Sequence, residues 1–223
     1  MENVYLCSFA DSRMSPTLER VRRQAEASLF FKKVFLYDEH LLGDLFLKKF
    51  RGQLIKGCRG FGYWVWKPYV ILETLKKIPD GAILLYMDAG CWINSKGNET
   101  FELFVNRTSE SPSGLLVSEL TVDCLEKYYT KGDLLDFFNV RDIKEIVESP
   151  QRAATAFFIR KDPINIEFVE KWLAIFDHFS LIDDTPSVSP NLDGFIENRH
   201  DQSVFSITVS YTHLRAHETA ANL

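Results

Sequence analysis

The stretch AILLYMDAGCW, residues 82–92, decides how this sequence folds. Its five apolar or aromatic residues from Ile83 to Met87 have the length and the flanks of a fully buried strand. Asp88 follows at the carboxyl end of that strand, which is where open α/β sheets place their ligands. A carboxylate is costly to bury without a partner. We therefore expect Asp88 to contact a metal ion, a ligand hydroxyl or a basic side chain.

Two further strands are predicted upstream of this one. VYLCSFA (4–10) has the pattern of a buried strand that ends at Asp11, and VFLYDE (34–39) that of a second strand ending in acids. Ser15 and Pro16 suit the start of a helix between them. Its predicted inner face carries apolar residues at helical spacing, namely Leu18, Val21, Ala25 and Leu29. A second helix is expected to start at Pro68, with Ile71, Leu75 and Ile78 facing inward.

The second half of the chain adds two strands and a helix. GLLVSEL (114–120) and AATAFFIR (153–160) are predicted strands, and Pro163 opens an amphipathic helix. The inward residues of that helix are Val169, Trp172, Leu173 and Phe176. Strands that alternate with helices over short connections are typical of a parallel sheet. The sequence thus predicts a single α/β domain with a mostly parallel central sheet flanked by helices.

Composition limits the classes of protein to consider. The chain has 223 residues, and its net charge of -5 argues against nonspecific nucleic-acid binding. Its four cysteines are scattered without a C-x-x-C pair, which favours buried thiols in a reducing compartment. Neither a signal peptide nor an apolar run of the roughly 20 residues that a membrane span needs is visible. We therefore expect a cytoplasmic protein.

The final residues depart from the pattern of the rest. VSYTHLRAHET (209–219) can be spelled by the codons of a transposon-end sequencing adapter read in frame, and Asn222-Leu223 fits the adapter beyond its index. We therefore predict that residues 208–223 are an adapter-derived, non-native tail and that the natural C-terminus is missing. This prediction removes His213 and His217 from the catalytic candidates.

Three local features carry side chains suited to chemistry. RGFGYWVWKP (59–68) places aromatic rings and Lys67 before a helix, which suits stacking on bases or sugars and binding of phosphate. An aromatic packing cluster with a solvated lysine is the alternative. MDAGC (87–91) offers Asp88, for which a turn or capping role is the alternative, with Gly90 at positive φ. EKYYTKGD (126–133) supplies two lysines, and a solvated helix start is its alternative.

The fourth feature is NRHDQSVFSI (198–207), which packs hydrogen-bonding side chains directly before an apolar run. Asp201 could cap a helix, but four consecutive polar side chains exceed what a cap requires. Histidines outside the tail are few, namely His40, His178 and His200. This scarcity excludes a histidine-rich metal site and favours a mechanism led by carboxylates. The sequence has no Walker loop, nucleophile elbow or dinucleotide-binding glycine motif.

These features resemble a family of bacterial GT-A-type glycosyltransferase-like proteins, which are associated with capsule and lipopolysaccharide synthesis. The resemblance covers nearly all of residues 4–207, through VYLCSFADSR, GFGYWVWKPYVILETL, LLYMDAGCWIN, YYTKGDLL, ESPQRAATAFFIRK and NRHDQSVFSI. It implies a GT-A-like, Rossmann-like nucleotide-sugar-binding domain over residues 1–207. It also implies sugar transfer from a nucleotide-sugar donor, with a UDP-sugar favoured, to a glycan or lipid-linked glycan acceptor.

The resemblance implies roles for single residues. Asp201 is the catalytic candidate, either as the general base of an inverting reaction or as a stabiliser in a retaining one. The implied donor-binding residues are Asp11, Arg13, Arg59, Trp66, Lys67 and Asp88. Those expected to orient sugar hydroxyls are Gln151, His200 and Gln202. A lost C-terminal segment is expected to leave this chain with little transferase activity, and it leaves peripheral attachment to the inner membrane open.

One departure from related sugar transferases concerns the metal. Their Asp-x-Asp motif holds a divalent cation against the donor diphosphate, and here it reads Asp88-Ala89-Gly90. Asp88 is therefore the single candidate ligand for Mn²⁺ or Mg²⁺, and a metal-independent site that uses Lys67, Arg59 or Arg13 stays open. The alternative function is a catalytically silent nucleotide-sugar-binding or scaffold protein of a glycan assembly system. A nucleotidyltransferase is disfavoured because SFADSR lacks a glycine.

Overall fold

The central sheet is built around the two most apolar strands of the sequence. A computed structural model describes the backbone of residues 3–221 and the side chains of residues 3–212. Within this described part of the chain the sheet has five strands, which are β1 (Val4–Phe9), β2 (Lys33–Tyr37), β3 (Ile83–Met87), β4 (Leu115–Glu119) and β5 (Arg152–Arg160). Their order across the sheet is β2-β1-β3-β5-β4. Every residue of β1 and of β3 is buried, as their apolar runs predict.

Strand directions make this a mixed sheet. β1 runs parallel to β2 and to β3, with Cys7 opposite Phe35 on one side and Tyr86 on the other. β3 runs antiparallel to β5, with Leu85 opposite Phe158. The structure confirms the α/β class, and the prediction of parallel pairing holds for β2-β1-β3. Strand and helix alternation predicts the parallel strands because each of them needs a crossover helix, whereas it does not determine the direction of β5.

Helices connect and follow these strands. They are α1 (Ser15–Ser28), α2 (Asp44–Lys49), α3 (Gly60–Tyr63), α4 (Trp66–Leu75), α5 (Asn98–Glu110), α6 (Glu126–Tyr129), α7 (Gly132–Phe137), α8 (Lys144–Val147), α9 (Pro163–Ile175) and α10 (Asp201–Ala221). α4 begins at Trp66 rather than at Pro68, which lies in its first turn, where a proline costs no hydrogen bond. The predicted inward residues Ile71, Leu75 and Ile78 are buried.

The end of α1 departs from the predicted helical face. Val21 and Ala25 are buried as expected, but Leu29 is 84% exposed. Leu29 caps the helix in the left-handed conformation, with a φ of 58°. A residue in that conformation leaves the helical spacing, so its side chain no longer follows the inner face. The prediction that Leu29 faces inward is therefore wrong.

The chain divides into two compact units, which are described separately. The first comprises Met1–Val117 with Thr155–Lys171, and the second comprises Ser118–Ala154 with Trp172–Leu223. In the first unit the core cluster includes Leu6, Leu85 and Phe158. Phe30 and Phe101 stack beside these side chains with ring centroids 4.2 Å apart. Burial of such large apolar side chains is the main term that stabilises a fold of this kind.

The second unit has its own apolar core. One cluster brings Leu135, Val140, Ile146 and Ile207 together. Trp172 packs against Phe205 of α10, with ring centroids 4.9 Å apart. The segment over residues 180–195 is irregular, as its run of Ser, Asp, Pro and Gly in SLIDDTPSVSPNLDGF suggests, apart from a 3₁₀ turn at Phe179–Leu181.

α10 continues beyond Ile207, where the predicted adapter-derived tail begins. The backbone is helical through Ala221, although residues 209–223 show no helical period in sequence. The side chains of His213 and His217, and residues 222–223, lie outside the described part of the chain. The origin of the tail stays a prediction. Among the helices of residues 3–221, none has the length and apolar character needed to cross a membrane.

Candidate functional site

A pocket of about 380 Å³ lies in the first unit, where β1 and β3 end. Because β1 and β3 are parallel neighbours, their carboxyl ends meet at one edge of the sheet. The pocket is lined by residues that follow β1, by the segment before α4 and by the turn after β3. These residues are Phe9, Ala10, Asp11, Arg13, Met14, Gly60, Phe61, Trp64, Trp66, Asp88, Ala89 and Gly90. The predicted donor residues Asp11, Arg13, Trp66 and Asp88 are thus brought together.

Asp11 and Arg13 form a bidentate ion pair directly after β1. The Arg13 guanidinium donates to both carboxylate oxygens of Asp11, with Nη2 2.5 Å from Oδ2 and Nε 3.2 Å from Oδ1. These charge-assisted hydrogen bonds hold the pKa of the Asp11 carboxyl below its ordinary value. Asp11 is buried, whereas the Arg13 side chain is 42% exposed. Arg13 is therefore a cation that lines the pocket and is oriented by a buried acid.

Asp88 is held by two side chains of the same unit. The Tyr86 hydroxyl donates to Asp88 Oδ1 over 2.6 Å, and Lys67 Nζ lies 3.2 Å from the same oxygen. Lys67 itself is buried and is not among the pocket-lining residues. The sequence predicts a basic partner as one of three choices for Asp88, and Lys67 is that partner.

The turn after Asp88 does not need a glycine for its backbone. Cys91 N–H donates to Asp88 C=O over 2.9 Å and closes the turn. Gly90 is absent from the residues with positive φ in the described part of the chain, and a Cβ there would meet nothing within 4 Å. The suggestion that Gly90 supplies positive φ is wrong. Its lack of a side chain instead leaves this edge of the pocket open.

The segment before α4 forms a left-handed turn that lines the pocket. Five consecutive residues have positive φ, from 49° at Phe61 to 90° at Gly62; they are Gly60, Phe61, Gly62, Tyr63 and Trp64. For a non-glycine residue this conformation costs roughly 1–2 kcal/mol. A Cβ on Gly60 would lie 2.5 Å from the Trp64 ring, so Gly60 allows that ring to pack on the backbone. Strain of this kind concentrates at functional sites.

The Trp66 side chain lines the pocket and is fixed by packing, whereas Arg59 does not line the pocket. The Trp66 ring stacks on Phe9 with centroids 3.9 Å apart, and its indole N–H donates to Gly60 C=O over 3.0 Å. Arg59 is exposed, and its backbone carbonyl oxygen accepts a hydrogen bond from the Tyr63 N–H. The pocket-lining set does not include Arg59. Trp66 therefore fits the predicted donor site better than Arg59 does.

The residues around Asp88 do not fit a resident divalent cation. Among the described side chains, no three of the His, Cys, Asp and Glu residues lie together as a metal site would need. Asp88 already contacts a buried ammonium and accepts a hydroxyl hydrogen bond. A cation would have to displace or repel Lys67 at 3.2 Å from Oδ1. Mn²⁺ or Mg²⁺ at Asp88 stays a prediction from the family resemblance, and no chemical step is derived through it.

In the second unit, Gln151 lies inside a buried hydrogen-bond network. Its amide nitrogen donates to Glu126 Oε2 over 3.0 Å and to Thr130 Oγ1 over 3.1 Å. Its amide oxygen accepts from Gln202 Nε2 over 3.1 Å. The structure therefore brings the predicted residues Gln151 and Gln202 together, with Gln151 fully buried.

Glu126 is the titratable centre of this network. It accepts hydrogen bonds from Thr130 and Ser206 as well as from Gln151. Burial raises the pKa of the Glu126 carboxyl to about 7, and these hydrogen bonds oppose the rise. The sequence patterns do not predict a role for Glu126, although its spacing of four residues from Thr130, the C-terminal cap of α6, is a usable signal.

His200 and Asp201 stand at the start of α10 in the second unit. His200 is buried with a left-handed backbone, at a φ of 59°, and its Nε2 lies 3.0 Å from Asp184 Oδ1. Asp201 is the first residue of α10, where a carboxylate interacts favourably with the helix dipole. It therefore occupies the first turn of the helix and not the cap position that was its alternative role.

The turn after β3 and the residues that follow it are anchored by Arg20 and Gln24, for which the sequence predicts no role. Arg20 of α1 donates to Ala89 C=O over 2.5 Å and to Cys91 C=O over 2.8 Å. Gln24, on the next turn of α1, accepts the Ile93 N–H over 3.4 Å. No local sequence pattern shows such a contact, because α1 and this turn lie about 70 residues apart in the chain.

The fold has a solved counterpart among glycosyltransferases. The apo form of mouse xyloside xylosyltransferase 1 matches with a TM-score of 0.50 and 13% identity, over 94% of this chain and 82% of that chain. Galactosyltransferase LgtC, in complex with donor and acceptor sugar analogs, matches with a TM-score of 0.44 and 12% identity, over 90% and 68%. No protein-family model and no curated protein sequence matches the chain. At such identity the first match establishes the fold, which is that of GT-A-type glycosyltransferases.

Proposed function

We propose that the chain is a glycosyltransferase that moves a sugar from a nucleotide-sugar, preferably a UDP-sugar, to a glycan or lipid-linked glycan acceptor. The observation that carries this proposal is the pocket at the ends of β1 and β3, which combines a cation, a carboxylate and aromatic walls in a GT-A-type fold. Ligands of open α/β sheets bind at this edge. The proposal includes a cytoplasmic role in surface polysaccharide synthesis, with peripheral attachment to the inner membrane.

The donor side of the site follows from the charges in the pocket. Arg13 is exposed enough to meet a diphosphate, and Asp11 fixes its orientation. Phe61 and Trp64 offer aromatic surface for the base. Asp88 keeps an ion pair with Lys67, which offsets its negative charge against a diphosphate. Asp88 is thus suited to accept a hydroxyl hydrogen bond from the donor sugar or ribose.

The proposed sugar-transfer residues are those that the family resemblance implies. Asp201 remains the proposed catalytic carboxylate, which would take the proton of the acceptor hydroxyl in an inverting reaction or stabilise the sugar cation in a retaining one. Its burial and its place in the first turn of α10 support a fixed carboxylate. Gln202 and His200 are proposed to orient sugar hydroxyls. Gln151 would act through Gln202, to which it is hydrogen-bonded.

A catalytically silent nucleotide-sugar-binding or scaffold protein is the second candidate. Two observations favour it: Asp88 is already paired with Lys67, and Ala89-Gly90 replaces a second carboxylate after the strand. Both candidates require donor binding in the pocket, so turnover is the property that separates them.

Calorimetric titration with UDP and a panel of UDP-sugars tests the proposal, with Mn²⁺ or with a chelator. We expect binding in both conditions and a loss in Asp88→Asn that is larger for UDP-sugars than for UDP. Metal-dependent binding that Asp88→Asn abolishes would instead establish a resident cation at Asp88. Failure of UDP and every UDP-sugar to bind would refute the donor site. Release of sugar from a bound donor would exclude the silent candidate.

A further inference from the structure

Trp92 is a large aromatic residue that is 72% exposed and directly follows the turn after β3. Ala89 and Gly90, inside that turn, line the donor pocket. Single exposed apolar residues are common on protein surfaces. Trp92 differs from an ordinary exposed side chain in the contacts that fix its ring and its backbone.

The surroundings of Trp92 hold the ring in one position. The Arg20 guanidinium carbon lies 4.3 Å from the centroid of the Trp92 ring and forms a cation–π contact. The same guanidinium donates to Ala89 C=O and Cys91 C=O, which fixes the chain before Trp92. Gln24 accepts the Ile93 N–H and fixes the chain after it. α1 thus holds the backbone on both sides of Trp92, and such preorganisation lowers the cost of binding.

We propose that Trp92 is the stacking platform for a pyranose ring of the acceptor, with Arg20 as its positioning residue. This inference rests on the proposed function, because it adds an acceptor subsite to the donor pocket. The C–H face of a pyranose is apolar and packs well on an aromatic ring, while its hydroxyls stay in water. An acceptor must also reach the donor sugar, and Trp92 directly follows the turn whose Ala89 and Gly90 line the donor pocket.

The chain around Trp92 favours a saccharide over a lipid surface. The segment that follows is polar and exposed, with Asn94, Ser95 and Lys96. Amphipathic membrane anchors instead place further large apolar side chains beside a tryptophan. A fixed indole followed in the chain by exposed polar residues suits a sugar subsite, since stacking fixes a pyranose ring and polar groups bind its hydroxyls.

The test follows the Trp92 indole by NMR in protein saturated with UDP. The ¹H–¹⁵N indole resonance of Trp92 is identified by its absence in Trp92→Phe. Methyl glycosides of galactose, glucose and xylose are titrated in, and saturation transfer to their ring protons measures contact with the protein. We expect the Trp92 resonance to shift with at least one glycoside. Trp92→Ala should lower the affinity for that glycoside about tenfold, and Trp92→Phe should retain most of that affinity.

Two further variants separate stacking from a structural effect. Leu45→Ala removes another exposed apolar side chain of the same unit and should bind the glycoside as the parent does. Arg20→Gln should weaken glycoside binding several-fold and broaden the Trp92 resonance, and its effect on UDP affinity should be smaller than its effect on glycoside affinity. A structural defect of the whole turn would instead weaken UDP and the glycoside to the same degree.

The outcomes distinguish this inference from the proposed function. UDP binding with a Trp92 resonance that no glycoside moves would overturn the acceptor platform and leave the donor site standing. A glycoside response without UDP binding would refute the donor site and leave a sugar-binding surface at Trp92. A Trp92 resonance that shifts with vesicles of phosphatidylglycerol and phosphatidylethanolamine, but with no glycoside, would identify a membrane contact and overturn the inference.

Discussion

Lys67 Nζ lies 3.2 Å from Asp88 Oδ1, and the two partners of this ion pair differ sharply in burial. The Lys67 side chain is 3% exposed, whereas that of Asp88 is 27% exposed. The cation is therefore hidden beneath the pocket, and the carboxylate faces it. A pocket floor of this kind presents a hydrogen-bond acceptor whose negative charge is partly neutralised from behind.

This difference in burial predicts that removing Asp88 and removing Lys67 lower the free energy of unfolding by different amounts. Asp88→Ala leaves a buried ammonium without its carboxylate and should lower the free energy of unfolding by about 3 kcal/mol or more. Lys67→Met leaves a carboxylate that water reaches and that still accepts the Tyr86 hydroxyl, so it should cost only about 1 kcal/mol. Urea denaturation of both variants measures the two values.

An exposed ion pair supplies the control for this comparison. Lys76 Nζ lies 2.9 Å from Glu73 Oε1 at the surface. Lys76→Met should change the free energy of unfolding by less than about 0.5 kcal/mol. Equal losses in Asp88→Ala and Lys67→Met would contradict the difference in burial.

Much of the fold could be predicted from sequence because its strands are continuous apolar runs. β1 and β3 are buried on both faces, and that environment leaves an unbroken hydrophobic signal in VYLCSFA and AILLYM. The position of Asp88 at a strand end follows from the same signal. The direction of β5 could not be predicted, because antiparallel pairing with β3 is a long-range choice that no local pattern records.

The site was harder to predict than the fold because lysine is rarely buried. The position of Lys67 before a helix predicts that it meets phosphate. Its ion pair with Asp88 and its place beneath the pocket depend on how α4 packs against β1, the neighbour of β3, which spacing alone does not show. The left-handed turn before α4 could not be predicted from sequence either, because Phe61, Tyr63 and Trp64 have no preference for positive φ.

Arg13 is predicted to dominate the charge attraction for the donor. Arg13→Gln should weaken UDP binding about tenfold, because it removes the exposed guanidinium that lines the pocket. The loss should shrink as salt is added, since the contact is electrostatic and partly exposed. Arg22→Gln, on the exposed surface of α1, is the matched control and should bind UDP as the parent does. Similar losses in both variants would show that net charge, rather than the Arg13 position, sets the affinity.

We predict that the fold and the pocket require a glycine at position 60 for two reasons, its positive φ and its close contact with the Trp64 ring. Gly60→Ala adds a Cβ at a φ of 56°, and this Cβ would lie 2.5 Å from the Trp64 ring. The variant should lose clearly more than about 1 kcal/mol of stability and should also weaken UDP binding, because Trp64 must move. Gly81→Ala is the matched control, with a φ of 76° and nothing within 4 Å of its added Cβ.

The control isolates the backbone contribution. Gly81→Ala should cost about 1 kcal/mol and leave UDP affinity unchanged. Calorimetric titration and urea denaturation of both variants give the two quantities. If Gly60→Ala lost no more stability than Gly81→Ala and bound UDP normally, the packing of Trp64 on Gly60 would have no role in the pocket.

The raised pKa of Glu126 predicts how the free energy of unfolding depends on pH. Its carboxyl has a pKa of about 7 in the folded protein, against an ordinary value of 4.5. Between these two pH values the folded protein binds one more proton than the unfolded chain, so the free energy of unfolding falls as the pH rises. The contribution is about 1.4 kcal/mol per pH unit, and on the order of 3 kcal/mol across the whole window.

Glu126→Gln removes this titration while keeping a neutral hydrogen-bonding side chain among Thr130, Gln151 and Ser206. Urea denaturation of parent and variant at several pH values from 5 to 8 should show a flatter dependence in Glu126→Gln. The variant should gain stability relative to the parent as the pH rises, because the parent must bury a charged carboxylate above pH 7. Parallel pH curves for the two proteins would mean that Glu126 is already ionised at pH 5 and that the network, rather than burial, sets its charge.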